Sequence, residues 1–127
     1  MAWCFNDEAT AKSEALLEQV RRDGAWVPGL WRLEVANVLR QAERRGRISQ
    51  SDSSRRLELL SKLPVWVDPE TNRHAFGSIM ALARTHTLTV YDATYLELAI
   101  RLGLPLASSD KALLAAARKC GVSIVQC

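Results

Sequence analysis

The chain reads as a single α/β domain built on a mainly parallel sheet. Short apolar runs alternate with helical periodicities along its whole length. At 127 residues, with 48 % hydrophobic and 24 % charged content, it has the size and composition for one hydrophobic core. No internal repeat, low-complexity segment or Pro/Gly/Ser-rich linker divides it.

The elements follow in order. Residues 8–22 read as an amphipathic helix, with Ala11, Ala15, Leu16 and Val20 at helical spacing and Asp23-Gly24 as its stop. A short apolar strand over 25–27 ends at Pro28. The helix over about 30–45 carries Trp31, Val35, Val38, Leu39 and Ala42 on one face and ends at Gly46. Ser49 or Ser51 caps the next helix, 51–62, which stops before Pro64. Val65-Trp66-Val67 is a second strand, and a helix is predicted over 70–85. Asp92 opens a further helix ending at Gly103, 105–108 is a strand, Asp110 starts a helix to about 119, and 122–125 is a last strand.

Composition excludes several classes. No apolar run approaches the roughly 20 residues that cross a bilayer, and the opening MAWCFNDEAT has neither the basic nor the apolar region of a signal peptide. Cys4, Cys120 and Cys127 are odd in number and lack CxxC spacing, as expected of reduced thiols in a cytoplasmic protein. Glycine-rich dinucleotide and P-loop motifs are absent. His74 and His86 have no partner in a triad pattern and read as surface or helix-end residues. Trp3, Trp26, Trp31 and Trp66 lie on or beside apolar segments and read as core. Net charge is only +3, but residues 40–62 hold seven basic residues against three acidic ones. That segment is either a solvated face or a footprint for a phosphate backbone or an acidic partner.

Three acids stand at the edges of apolar elements: Glu34 in LWRLEVANVL, Asp92 in TVYDATYLELAI and Asp110 in LPLASSDKALLAAA. A carboxylate beside a core is costly unless something compensates it. No basic residue lies within three positions of Asp92, and only Lys111 lies that close to Asp110. Glu34 falls about 70° from the centre of its helix's apolar stripe, a boundary position. Each acid alone has an ordinary explanation: a favourable charge near a helix N-terminus for Glu34, and a cap for Asp92 and Asp110. Together they suit Mg²⁺ or Mn²⁺, which bind oxygen ligands, activate water and neutralise a phosphodiester. Asp110 also follows a strand, where open parallel sheets place their ligands, with Ser108 and Ser109 as neighbouring hydroxyls.

The segments AWCFNDEA, VPGLWRLEVANVLRQAERRGRI, LTVYDATYLELAIRLGLPLASSDKAL and AARKCGVSIV resemble, in wording and order, PIN-domain ribonucleases, specifically the toxin subunits of VapBC-type toxin–antitoxin pairs. The resemblance covers nearly the whole chain and implies one PIN-like domain over 1–127, of three-layer α/β/α form. It implies Mg²⁺- or Mn²⁺-dependent cleavage of RNA, a cognate antitoxin partner and a homodimer. Its helix Glu falls on Glu34, its central Asp on Asp92, its strand-end Asp on Asp110 and its small hydroxyl position on Ser108. Arg40 and Arg44 are the candidates for positioning the RNA backbone.

One departure stands out. The family's first strand carries an Asp a few residues before the AW segment, whereas this sequence opens at Met1-Ala2-Trp3. The expectation is therefore a domain truncated at its N-terminus, without its central strand and first acid, Asp7 and Glu8 belonging to the following helix. A misassigned start, a decaying gene or a strand donated by another chain would each account for it. Two rival readings follow: a non-catalytic PIN-like remnant that binds an antitoxin or RNA, the former through Leu57, Leu59, Leu60 and Leu63, and an α/β domain whose acids are only caps.

Overall fold

A computed structural model describes residues 1–5 and 11–126. Five parallel strands lie in the order β3-β2-β1-β4-β5, flanked by six helices. The strands are β1 (Ala2–Trp3), β2 (Ala25–Val27), β3 (Val65–Val67), β4 (Leu106–Ser108) and β5 (Ile124–Gln126). The helices are α1 (Ala11–Asp23), α2 (Trp31–Arg44), α3 (Gln50–Ser61), α4 (Met80–His86), α5 (Val90–Leu102) and α6 (Lys111–Lys119). This is the three-layer arrangement expected.

The centre of the sheet is not empty, which corrects the expectation of a missing strand. Met1 to Cys4 occupy it, and hydrogen bonds run to both neighbours. Trp26 N–H donates to Met1 O at 2.8 Å, Ala2 N–H to Pro105 O at 2.8 Å and Cys4 N–H to Ala107 O at 2.9 Å. The AW segment is thus a strand, and the backbone groups that a gap would have orphaned are paired. Its acid, however, has no counterpart: β1 carries Ala2 and Trp3, both buried, and Cys4 follows. Asp7 and Glu8 lie outside the described residues.

Apolar residues from both layers close on the strands. Trp3 packs on Trp31 with ring centroids 5.4 Å apart, joining β1 to the start of α2. Val35 and Leu39 continue that stripe, and Leu96, Leu98, Leu106 and Leu113 are fully buried beside it. Residues 93–99 of α5 are all buried, so this helix is the best enclosed of the six. Trp66 departs from the core reading: it is half exposed on an edge strand, tilted against Trp26. Its ring also covers Gly24, which adopts φ +78° at the turn into β2.

Residues 70–85 do not form one regular helix. A 3₁₀ turn (Thr71–His74) and a widened turn (Ala75–Ile79) precede α4, with a break at Gly77. Ser49 caps α3 by accepting from Asp52 N–H at 3.0 Å, as the sequence suggested. Leu57 and Leu59 are exposed on α3, but Leu60 is turned into the core, so the four leucines do not share one open face.

Candidate active site

Strand order reverses between β1 and β4, because the chain leaves β1 toward β2 and β3, then crosses to β4 on the other side. In open parallel sheets the crevice beyond such a reversal is the natural ligand site. Four features border it: the end of β1, the start of α2, the start of α5 and the β4–α6 junction. The last three bring Glu34, Asp92 and Asp110.

Glu34 lies in the first turn of α2, where the positive end of the helix dipole favours an anion. It is half-buried, and Tyr95 of α5 donates its hydroxyl to Oε1. Burial raises the Glu34 carboxyl above its usual range. The Tyr95 hydrogen bond opposes that rise and the nearby Asp92 charge adds to it, with a net upward result. Burial also pushes the Tyr95 hydroxyl far up, followed by Cys4, Glu34 and Asp92, so it remains a donor at any working pH.

Asp92 does not cap its helix, contrary to the sequence expectation. Thr89 is the cap, accepting from Asp92 N–H at 3.0 Å, and Asp92 is the third residue of α5. This arrangement frees its side chain from the role that made the bland explanation attractive. Burial raises the Asp92 carboxyl, the Asp110 charge raises it further, and the Thr89 hydroxyl opposes both.

Asp110 does cap. Its Oδ1 accepts from Leu113 N–H at 2.8 Å at the start of α6. The fully buried Ser108 accepts from Asp110 N–H at 3.1 Å through Oγ, fixing the turn between β4 and α6. Capping uses one oxygen, leaving the other available.

The three acids therefore feel one another in a row, with Asp92 coupled to Glu34 on one side and Asp110 on the other. Among the described residues, no ion pair engages any of them. Uncompensated carboxylates with oxygen donors only match a hard divalent cation in charge and donor type. The match stops short of a formed cage: among the described residues, no three His, Cys, Asp or Glu side chains converge to hold one ion.

Sequence reading missed three contributors. Tyr95 anchors Glu34 and could have been read from its place three residues after Asp92, one turn along the same helix. Cys4 ends the central strand on the site side and is coupled to Tyr95. The third is a buried charge network that fixes the entry to α2. Arg101 of α5 binds Glu97 through Nε at 2.7 Å and also bonds the Asp68 carboxylate. Asp68 accepts from the Thr71 hydroxyl at 3.1 Å, and Thr71 Oγ1 accepts from Gly29 N–H at 2.9 Å, two residues before α2. Asp68 lies 33 positions from Arg101, and nothing local marks the two as partners.

Arg40 and Arg44 lie farther down α2 from Glu34, by roughly 9 and 15 Å at the helical rise. Both are exposed, and Arg40 pairs with Glu43 at 3.6 Å.

The PIN domain family model matches residues 1–119. The chain belongs to the PIN-domain family. It is 35 % identical over 80 residues to Ribonuclease VapC3 of Pyrobaculum aerophilum, a match that covers 63 % of this chain and 61 % of that relative's length. The crystal structure of PAE2754 from the same organism superposes with a TM-score of 0.66 at 28 % identity, covering 91 % of this chain and 79 % of the other. The family resemblance read from LEVAN, YDATYLELA and LPLASSD is thereby confirmed. Among the described residues, no helix of this PIN domain is long and apolar enough to cross a membrane.

Proposed function

We propose that this PIN domain is a metal-dependent endoribonuclease, the toxin of a VapBC-type pair, with Glu34, Asp92 and Asp110 as its catalytic and metal-binding acids. The observation that carries the reading is the gathering of these three acids beyond the reversal point of the sheet without a basic partner among the described residues, the Asp92 charge raising Glu34 and the Asp110 charge raising Asp92. Membership of the family supports it, as does likeness to a protein named as a ribonuclease.

Mg²⁺ or Mn²⁺ held by these acids would activate water and offset the charge that develops on the phosphodiester. The chain's own residues do the rest. Tyr95 holds the Glu34 carboxylate by donating its hydroxyl to Oε1, and Oε2 would remain for the ligand. Asp92, with its raised proton affinity, is suited to accept a proton from the attacking water. Ser108 and the α6 cap hold Asp110 in one orientation. Arg40, and more remotely Arg44, would steady the RNA backbone without reading sequence. A cognate antitoxin, a homodimer and a cytoplasmic setting complete the proposal.

A second reading draws on a specific observation. The central strand, Ala2–Trp3, carries no acid, and the three carboxylates do not form a cage among the described residues. Both favour a non-catalytic PIN-like protein that binds antitoxin or RNA.

Cleavage of mixed cellular RNA with Mg²⁺ or Mn²⁺, against an EDTA control, decides between them. Metal-dependent cutting that Asp92→Asn abolishes supports the nuclease. Folded protein that binds RNA or a small partner but never cuts supports the binder.

A further inference from the structure

We infer that Cys120 and His86 form a thiol–imidazole pair that exchanges with small disulfides, and that the adduct occupies the cavity beside Cys120. Neither residue belongs to the acidic crevice.

His86 is the last residue of α4, and Cys120 follows α6, 34 positions away. Cys120 Sγ stands 3.4 Å from His86 Nε2. Both side chains are half-buried, so the contact is partly shielded yet open to a small reagent. The backbone fixes each partner. Cys120 N–H donates to Ala116 O and Ala117 O, both at 3.1 Å, and Gly121 then turns the chain at φ +73°. After His86, Thr87 adopts φ +52°, a left-handed conformation that β-branched residues rarely take. Its N–H donates to Ala83 O, and Leu88 N–H donates to the same carbonyl at 3.0 Å. A nucleophile and a base held within hydrogen-bond reach are the arrangement that activates a cysteine.

Cys120 also borders a cavity of about 310 Å³. Its walls include Ile100 and Gly103 at the end of α5, Pro105 before β4, and Val122 and Ser123 before β5. These walls lie at the N-terminal ends of the strands, whereas a parallel sheet places its crevice beyond the carboxyl ends. The lining carries no charged side chain, so a small uncharged substituent suits it. Cys120 thus has a base within reach and room for a group bound to its sulfur.

The chemistry is thiol–disulfide exchange. In the tautomer protonated at Nδ1, His86 takes the Cys120 proton at Nε2. The thiolate attacks one sulfur of a low-molecular-weight disulfide. A new S–S bond joins Cys120 to one half of the reagent as the old S–S bond breaks. The other half leaves as a thiolate, takes the proton from His86 and departs as a free thiol. The disulfide is the oxidant, and one thiol is released for each thiol bound.

The test treats the whole chain with hydroxyethyl disulfide at neutral pH and scores each cysteine separately by mass spectrometry of digested samples. Cys120 should react at least as fast in the native chain as in urea, where no base is held beside it. A free thiol is only a few per cent ionised near neutrality, so His86→Gln should slow native Cys120 about 10-fold. Its rate in urea should not change. Ile100 is 43 % exposed on the cavity wall, and Ile100→Trp should narrow the cavity and slow Cys120 with His86 still in place. Thermal melts separate these effects from unfolding. A native Cys120 slower than in urea overturns the inference, because the thiol is then merely shielded. So does a folded His86→Gln chain that reacts as fast as the parent. If His86→Gln fails to fold, an unchanged Cys120 rate in Ile100→Trp overturns it instead.

Discussion

Replacing Arg101 by Met would test whether the buried charge network holds the site's framework together. Arg101 makes four hydrogen bonds: to Glu97 at 2.7 and 3.1 Å, and to Asp68 at 3.3 Å plus a shorter contact. The Asp68 and Glu97 side chains are almost wholly buried. Methionine fills similar volume but leaves both carboxylates without their cation. Removing one partner of a buried ion pair costs about 3–5 kcal/mol. The lower end applies here, because Asp68 keeps the Glu70 N–H and the Thr71 hydroxyl, each at 3.1 Å. Among the described residues, Glu97 keeps only His74, at 3.8 Å. A loss of about 3 kcal/mol against a typical total of roughly 5–15 kcal/mol should lower the melting temperature by about 10 °C.

The pH dependence gives a sharper test. Burial alone would push the Asp68 carboxyl up, but Arg101, the Glu70 N–H and the Thr71 hydroxyl outweigh it, and the folded value lies below the ordinary one. Such a group contributes stability that is present above its unfolded pKa and lost as pH falls through the folded pKa. The parent should therefore lose stability on acidification below about pH 4. In Arg101→Met, burial prevails, the folded value rises above the unfolded one, and acidification should recover stability between neutrality and about pH 4. Urea unfolding followed by tryptophan fluorescence at several pH values measures both slopes. A loss under about 1 kcal/mol, or slopes of the same sign, would refute the reasoning.

Three further outcomes are expected. Tyr95→Phe removes the donor that fixes Glu34 and should lower metal-dependent cleavage about 10- to 100-fold, with a smaller effect on RNA binding, read as kcat against KM. Thr89→Ala deletes the α5 cap and should cost about 1 kcal/mol, or roughly 4 °C in a thermal melt. Asp92→Asn relieves like-charge repulsion in a buried setting: the raised folded pKa means that ionised Asp92 costs stability above its unfolded value. Its metal-free melting temperature should thus match or exceed the parent's at neutral pH, while the rise on adding Mn²⁺ should shrink.

Much of the fold was legible because its signals are local. Apolar periodicity, Gly24, Pro28, Gly46 and Gly103 mark most element ends within a few residues. Residues 70–85 misled because Gly77 breaks a helix that the surrounding periodicity supports. Glu34, Asp92 and Asp110 could be picked out for the same local reason, as charges beside apolar runs. Their supports could not. Tyr95 meets Glu34 across 61 positions, and Arg101 meets Asp68 across 33. Such pairings depend on how α5 crosses α2 and the end of β3, which no single segment encodes. Asp92 shows the limit in miniature, since cap and site readings looked equal until Thr89 took the cap.

The central strand bears on catalysis as well as folding. Backbone pairing asks only for extended residues, and Met1 to Cys4 satisfy it with no carboxylate among their side chains. Frame and chemistry are therefore separable at this position: the sheet closes, Trp3 anchors α2 through Trp31, and Glu34 is set opposite Asp92, all without the first acid. What that acid would add is charge. Three carboxylates hold a divalent ion less tightly than four, because each lost anionic ligand removes Coulomb attraction and leaves one more position to water. If the nuclease reading is right, half-maximal activity should then need a higher Mn²⁺ concentration than a four-acid site would. Substituting Cys4 by Asp should add a fourth carboxylate near Tyr95 and lower the Mn²⁺ concentration needed for half-maximal thermal stabilisation. An unchanged Mn²⁺ requirement in a folded Cys4→Asp variant would mean that the end of β1 does not face the ion.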